Sequence, residues 1–340
     1  MCRLGAFVSY PALLILLAFC ISAATRPHYG GVLRVEVRQA LETADPPQTG
    51  TGMAELMGAF NIVLWETGHR AVYAANENAA SGRPFLDSVE VEMGRSLRDR
   101  TIDLDLGHAD VVEFAPTELR RAPAGRKTWT SQPVRVVALV FTPRVDDVRV
   151  RQALALAVDR AAIHSVLLQR QGEISGALLP QWLSGYAFLF PAAADLARAR
   201  TLIAGVPAAG RTLSLGVEDP AWQLVADRIA LNARDAGLAV TTAPHASADV
   251  RLVEARVTSN DPAAALAVVA ATLGLSEPPH TDSPESLYAA ERAWIDSFRV
   301  VPLFHLPDVY GVHPRVRGGP GITPLGQWRM ENLWLEAGRP

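Results

Sequence analysis

Thiols are almost absent. Of 340 residues only two are cysteine, Cys2 and Cys20, and both lie in the first twenty positions. If that segment is removed, the rest of the chain has no thiol. A disulfide framework, a cysteine-ligated metal and a cysteine nucleophile are then excluded. Lysine is nearly missing too: Lys127 stands alone among 32 basic residues, and the arginines are scattered. With a net charge of −3, the chain offers no clustered basic face for nucleic acid. After residue 21 no apolar run is long enough to cross a bilayer. Catalytic signatures are also lacking. There is no Gly-x-Ser-x-Gly elbow, no His-Glu-x-x-His and no phosphate loop. Gly50 and Gly52 are followed by Glu55 where a dinucleotide fingerprint needs a third glycine. Asp103 and Asp105 have no third ligand near them in sequence and read as a solvated edge. His305 and His313 bracket a C-terminal strand pair, where packing is favoured over a two-histidine metal site. His164 falls in an apolar helix as a core or boundary residue. No catalytic residue, metal ligand or cofactor is assigned.

The first 24 residues read as a secretory signal. Arg3 supplies a positive start, residues 4–21 are apolar, and Ser22, Ala23 and Ala24 offer small residues for cleavage near Thr25. An uncleaved anchor is the rival, but Pro11 interrupts the span. A lipid anchor at Cys20 is disfavoured because bulky Phe19 precedes it. The expectation is an exported, periplasmic or otherwise extracytoplasmic protein.

Alternation at period two predicts strands at 32–37 and 88–93, and paired strands at 60–65 and 71–75 about a turn at Gly68. Residues 97–106 predict a helix, 110–114 a strand and 116–121 a helix opening with Pro116. The strongest strand is 134–141, long, β-branched and nearly all apolar, as strands covered on both faces are. Asp146 and Asp147 cap a helix with Val150, Leu154, Ala157 and Val158 as its apolar stripe, restarting through 163–168. Residues 172–190 read as a loop rich in proline and aromatics. Further helices are expected at 193–203, 221–236, 262–273 and 284–298. Strands are expected at 212–217, 238–242, 250–255, 300–304 and 309–312. Alternation of strand and helix from 134 to 312 predicts a largely parallel α/β sheet, in two domains or one large unit.

The seven tryptophans say more than the ionisable groups. Trp182 and Tyr186 share a loop, Trp222 follows Asp219 and Pro220 at a helix start, and Trp328 lies beside Arg329 in a glycine-flanked loop. Loop aromatics can wall a ligand cleft, or cap helices and seal lobes.

Residues 141–160 carry a specific pattern: Asp147-Val-Arg-Val-Arg-Gln-Ala-Leu followed by Ala157-Val-Asp-Arg160. Weaker motifs follow in consistent order: Gly30-Gly31, Ala44-Asp45-Pro46, Trp65 to Gly68, Gly82 to Asp87, residues 172–180, residues 302–310 and Arg315 to Gly318. By these motifs the chain resembles the extracellular solute-binding proteins of family 5, the peptide-, nickel- and opine-binding components of ABC transporters, over most of residues 30–334. The resemblance implies a type II periplasmic-binding-protein-like fold: two α/β lobes joined by hinge strands, with ligand in the cleft and closure about the hinge. Lobe one would be 25–140 plus 300–340 and lobe two 141–299, with crossings at 134–142 and 300–304.

The chain also departs from the family pattern. Residues 47–57 alone stand where the family inserts a whole extra domain, and 255–285 are compressed. Ala79 and Ala80 replace an expected Tyr-Trp pair. In peptide-binding members an acidic residue before an x-Pro motif pairs with the peptide ammonium; aligned on Asp261-Pro262, that position is Thr258, and the tryptophan expected before it is Ala255. The resemblance implies a monomer that captures a peptide or other small-molecule ligand and delivers it to an ABC permease complex in the inner membrane. The candidate site residues are Trp182, Tyr186 and Trp222 as apolar walls, with Asp45, Thr258 and Arg329 as polar contacts. A degenerate binding or sensor module without a transport role is the alternative. A secreted hydrolase comes third for want of a catalytic constellation.

Overall fold

Short alternating segments build the first half of the sheet, and two long apolar strands tie it to the second. The computed structural model describes residues 26–40, 56, 58–118, 127–184, 190–278 and 283–336. The expected signal segment with Cys20, the candidate residues Asp45 and Tyr186, and residues 119–121 of the expected helix lie outside the described residues. Strands β1 (Val32–Glu36), β2 (Phe60–Glu66), β3 (Arg70–Ala75) and β4 (Ser88–Glu92) precede helix α1 (Leu97–Leu106) and β5 (Val111–Phe114). The 15-residue β6 (Lys127–Phe141) follows, then α2 (Val148–Ala157), α3 (Arg160–Val166), β7 (Glu173–Ile174) and the short α4 (Gln181–Ser184). The second half continues through α5 (Leu196–Ala204), β8 (Thr212–Val217), α6 (Gln223–Asp235), β9 (Ala239–Pro244) and β10 (Val250–Arg256). Helices α7 (Pro262–Thr272) and α8 (Pro284–Asp296) lead to β11 (Val300–Val312), β12 (Val316–Arg317) and β13 (Trp334–Leu335).

Eleven strands form one sheet in the order β2-β3-β4-β1-β5-β11-β6-β10-β8-β9, with β7 added to β11. It is mixed rather than largely parallel. The pairs β1–β4, β1–β5, β8–β9 and β8–β10 are parallel, but β11 runs antiparallel to both β5 and β6, and β6 antiparallel to β10. Counting strand–helix alternation misses this reversal because it is blind to which strand the chain returns to. The two strands expected at 300–304 and 309–312 are one 13-residue strand, buried throughout. Pro307 falls in the expected gap between them, and neither it nor Pro302 can donate to a ladder. Register shifts beside both prolines absorb the missing donors and let the strand run on. Part of the expected 172–190 loop is ordered too, as β7 and α4. The described part of the helix expected from Pro116 is a turn.

Alternate residues of β6 point to opposite faces. Val137, Leu139 and Phe141 pack under α2, α5 and α6, whereas Val134, Val136, Ala138 and Val140 pack under α7 and α8. A third cluster joins β1, β3 and β4 to the C-terminal segment through Tyr310, Trp328, Met330 and Leu333. Trp328 is buried there and its indole N–H donates to the Tyr310 hydroxyl at 3.1 Å.

The motif at 147–160 has a structural job. Asp147 caps α2 by accepting from the Arg149 N–H at 2.9 Å, and Asp159 caps α3 through the Ala162 N–H at 2.9 Å. Arg151 is buried and donates to the carbonyls of Val145, Asp146 and Ser297. Buried Arg160 donates from two nitrogens to Pro302 O, at 3.1 and 3.0 Å, and from a third to Ala155 and Ala192 carbonyls. Pro302 is part of β11, so the most family-specific stretch clamps the helices to the central strand.

Candidate functional site: the junction of the two strand sets

The register places both sets of parallel strands end to end. β5 finishes with Phe114 opposite Val309, which itself lies opposite Thr130 of β6. β10 finishes with Arg256 opposite Arg135 of β6. The carboxyl ends of the two sets therefore converge on the middle of the long β6/β11 pair. The crevice outside the carboxyl ends of strands is where open α/β sheets bind ligands.

A buried charge network fills this junction. Arg135, within β6, faces three carboxylates: Glu113 of β5 at 3.1 Å, Glu254 of β10 and Asp308 of β11. Asp308, fully buried, also pairs with Arg256; its backbone N–H donates to Ser131 Oγ at 2.8 Å. Arg256 donates further to Leu325 O at 2.9 Å, which draws the C-terminal loop onto the network. Gly326 has a φ of 75°, and a Cβ there would strike the Asp308 carboxylate and the Arg256 guanidinium. From the first half, Arg38 lies just past β1; its Nη1 is 2.8 Å from Asp219 Oδ2 and its Nε 3.4 Å from Glu113 Oε1. Burial pushes the Asp308 carboxyl up, but the Arg135 and Arg256 guanidiniums outweigh it and hold the group below the usual range. Burial likewise opposes Glu113, and Arg38 and Arg135 bring it down. Such a cluster keeps its charges only while every member is paired.

The structure brings one expected residue to this junction. Trp222 is buried in the cluster under α6, and its indole N–H donates to Glu254 Oε2 at 3.2 Å. Trp182 lies elsewhere. It packs with Val136 and Ala138 on the other face of β6, and its N–H donates to Pro133 O at 2.8 Å. The sheet thus separates the two indoles. Thr258 is exposed, directly after Val257, which packs in the same cluster as Trp182. Arg329 is exposed, with Glu331 3.5 Å away. The histidines expected near the C-terminus do not meet. His305 lies within β11, its ring nitrogens facing Glu173 Oε1 at 3.1 Å and Ala177 O at 2.9 Å, while His313 follows the strand's far end.

Sequence reading missed Arg38, Glu113, Arg135, Glu254 and Asp308. One signal was available for Glu113, the single charged residue of the otherwise apolar strand Val111-Val-Glu-Phe114. What the sequence could not supply was their pairing, which joins positions 22 to 181 residues apart.

Similarity to known proteins agrees with this architecture. Residues 10–282 match the family described as bacterial extracellular solute-binding proteins, family 5. The oligopeptide-binding protein AppA of Bacillus subtilis is 27% identical over 123 residues, 35% of this chain and 23% of that protein. The ABC transporter substrate-binding protein CtaP of Listeria monocytogenes superposes with a TM-score of 0.66 at 16% identity, covering 82% of this chain and 66% of that one. NikA of Staphylococcus aureus, solved with Ni(L-His)2, superposes with a TM-score of 0.70 at 13% identity, covering 82% of this chain and 68% of that one. The superpositions therefore span about two thirds of these structures, and the sequence match spans under a quarter of AppA. The fold is that of the type II periplasmic binding proteins. Among the described residues no helix is long and apolar enough to cross a membrane. The match over residues 10–282 makes this chain a member of the bacterial extracellular solute-binding proteins, family 5.

Proposed function

We propose that the chain is the exported solute-capturing component of an ABC transporter, taking a peptide-like or other small solute at the junction of two α/β lobes and handing it to a permease. The observation that carries this reading is the convergence of two parallel strand sets, carboxyl end to carboxyl end, on the middle of β6 and β11. Lobe one then comprises 25–140 with 300–340 and lobe two 141–299, and β6 and β11 serve as the hinge. The chain works by binding rather than by catalysis. Among the candidate contacts, Trp222 is the best supported, because its ring lies beside the charge network. Trp182, Thr258 and Arg329 would serve a solute reaching toward the other face of β6, while Asp45 and Tyr186 complete the set drawn from the sequence. The relatives' own ligands, an oligopeptide for AppA and a nickel–histidine chelate for NikA, define the chemistry to try first.

Native mass spectrometry of chain purified from a periplasm tests the reading. A reproducible mass increment that vanishes on unfolding is expected, and Trp222→Ala should weaken its retention about tenfold or more. A bare mass together with unchanged melting across peptides and metal chelates would reject it. A second reading, a binding or sensor module without transport, is favoured by one observation: the junction's charges are already paired with one another. Capture of the solute without any association with a permease would select it.

A further inference from the structure

The sheet order separates β1 from β8 by β5, β11, β6 and β10. At about 4.8 Å per neighbour, the two strands stand about 24 Å apart along the sheet. Arg38, two residues past β1, and Asp219, two residues past β8, nevertheless meet at 2.8 Å. The reach of the two side chains covers less than half of that span. The residues that follow each strand, and the twist a sheet accumulates over five neighbours, close the remainder. A second bond crosses the same gap: Thr117 Oγ1 donates to Ala221 O at 3.0 Å.

Both charged groups are held ready on their own side. Glu113 accepts from the Arg38 backbone N–H at 3.0 Å and faces its guanidinium. Asp219 Oδ1 accepts from the Ala221 N–H at 2.8 Å, which leaves Oδ2 for Arg38. The Arg38 side chain is 6% exposed and that of Asp219 28%, so the pair lies at the rim of the network rather than at its centre. Asp308 and Arg135, by contrast, bind strands that are already neighbours, and their pairing would survive a parting of the two halves.

We propose that the Arg38–Asp219 ion pair, with the Thr117–Ala221 bond, is a latch that holds the protein closed before any solute arrives, so that solute entry requires the latch to break. The proposal rests on the junction being the solute site. Its consequence is a lowered apparent affinity, because solute meets only the open fraction; raising that fraction from about 1% to about 10% would tighten apparent binding about tenfold with no new contact. Salt acts in the same direction as mutation, since a rim pair is screened more than a buried one.

Small-angle scattering of the full chain without added solute tests the latch. The wild type should match the profile calculated from the closed arrangement. Asp219→Asn keeps an oxygen to cap Ala221 but removes the charge, and should raise the radius of gyration while the far-ultraviolet circular dichroism stays unchanged. Thr117→Val, nearly isosteric and uncharged, should shift the profile the same way by less, and decides the matter if Asp219→Asn does not fold. A wild type already extended, or folded variants scattering as the wild type does, would overturn the proposal. No solute enters the measurement, so a failed latch leaves the solute-binding reading standing, and a failed search for a solute leaves the latch standing.

Discussion

Glu36 and Asp308 are both buried carboxyls, yet their surroundings drive them in opposite directions. Glu36, at the end of β1, is pushed up to about 7: burial raises it, Arg95 at 3.5 Å opposes, and neighbouring Asp103 raises it further. The folded state therefore holds a proton that the unfolded chain releases near 4.5. Glu36 stabilises fully below that value, and this contribution is lost as pH rises toward 7. Glu36→Gln should flatten the decline, measured as urea stability between pH 4.5 and 7, by roughly 2 kcal/mol. Asp308 has the reverse sign. Held low by Arg135 and Arg256, it contributes above the unfolded carboxyl range and loses that contribution only as acid protonates the folded form. Asp308→Asn removes the carboxylate that Arg135 and Arg256 share, leaving Arg135 with Glu113 and Glu254, and should cost about 3 to 5 kcal/mol at neutral pH, read by equilibrium unfolding.

At the scale of elements, most helices were legible because their ends are marked chemically. Ser96, Asp147, Asp159, Asp195, Asp261 and Ser283 each cap the helix that follows, and α1 matches its expected span. Strand β8 was legible from alternation alone. Strand β11 was legible only as two pieces, because Pro307 falls between them and the register shifts that carry the strand past it leave no mark in the sequence. The candidate site was legible only in part. Trp222 stands out as an aromatic at a helix start, but its partner Glu254 belongs to a strand 32 residues away. The clamp from Arg160 to β11 yields a test at this scale. Its fork reaches one carbonyl with two nitrogens, a geometry an ammonium cannot reproduce. Burial alone brings this guanidinium down to about 10, so it is held by carbonyls and not by a countercharge. Arg160→Lys should lower stability by about 2 kcal/mol and Tm accordingly, by calorimetry, while leaving any solute contact untouched.

For the molecule as a whole, the position of β11 decides when the protein can become itself. β5 and β6 are not neighbours until β11 lies between them. The first five strands of the sheet can pair among themselves, and β6 can pair with β10, but the two pieces share no ladder before residue 300 is available. During synthesis, a ribosome has thus released β1 to β10 before the central strand is supplied. Until then β5 and β6 present open edges, the kind of surface that invites pairing with other chains. The joining contacts span long sequence separations and are slow to form. A polypeptide built this way stays threadable until late and vulnerable for as long, because the order of its strands holds the joining one back until the others have been made.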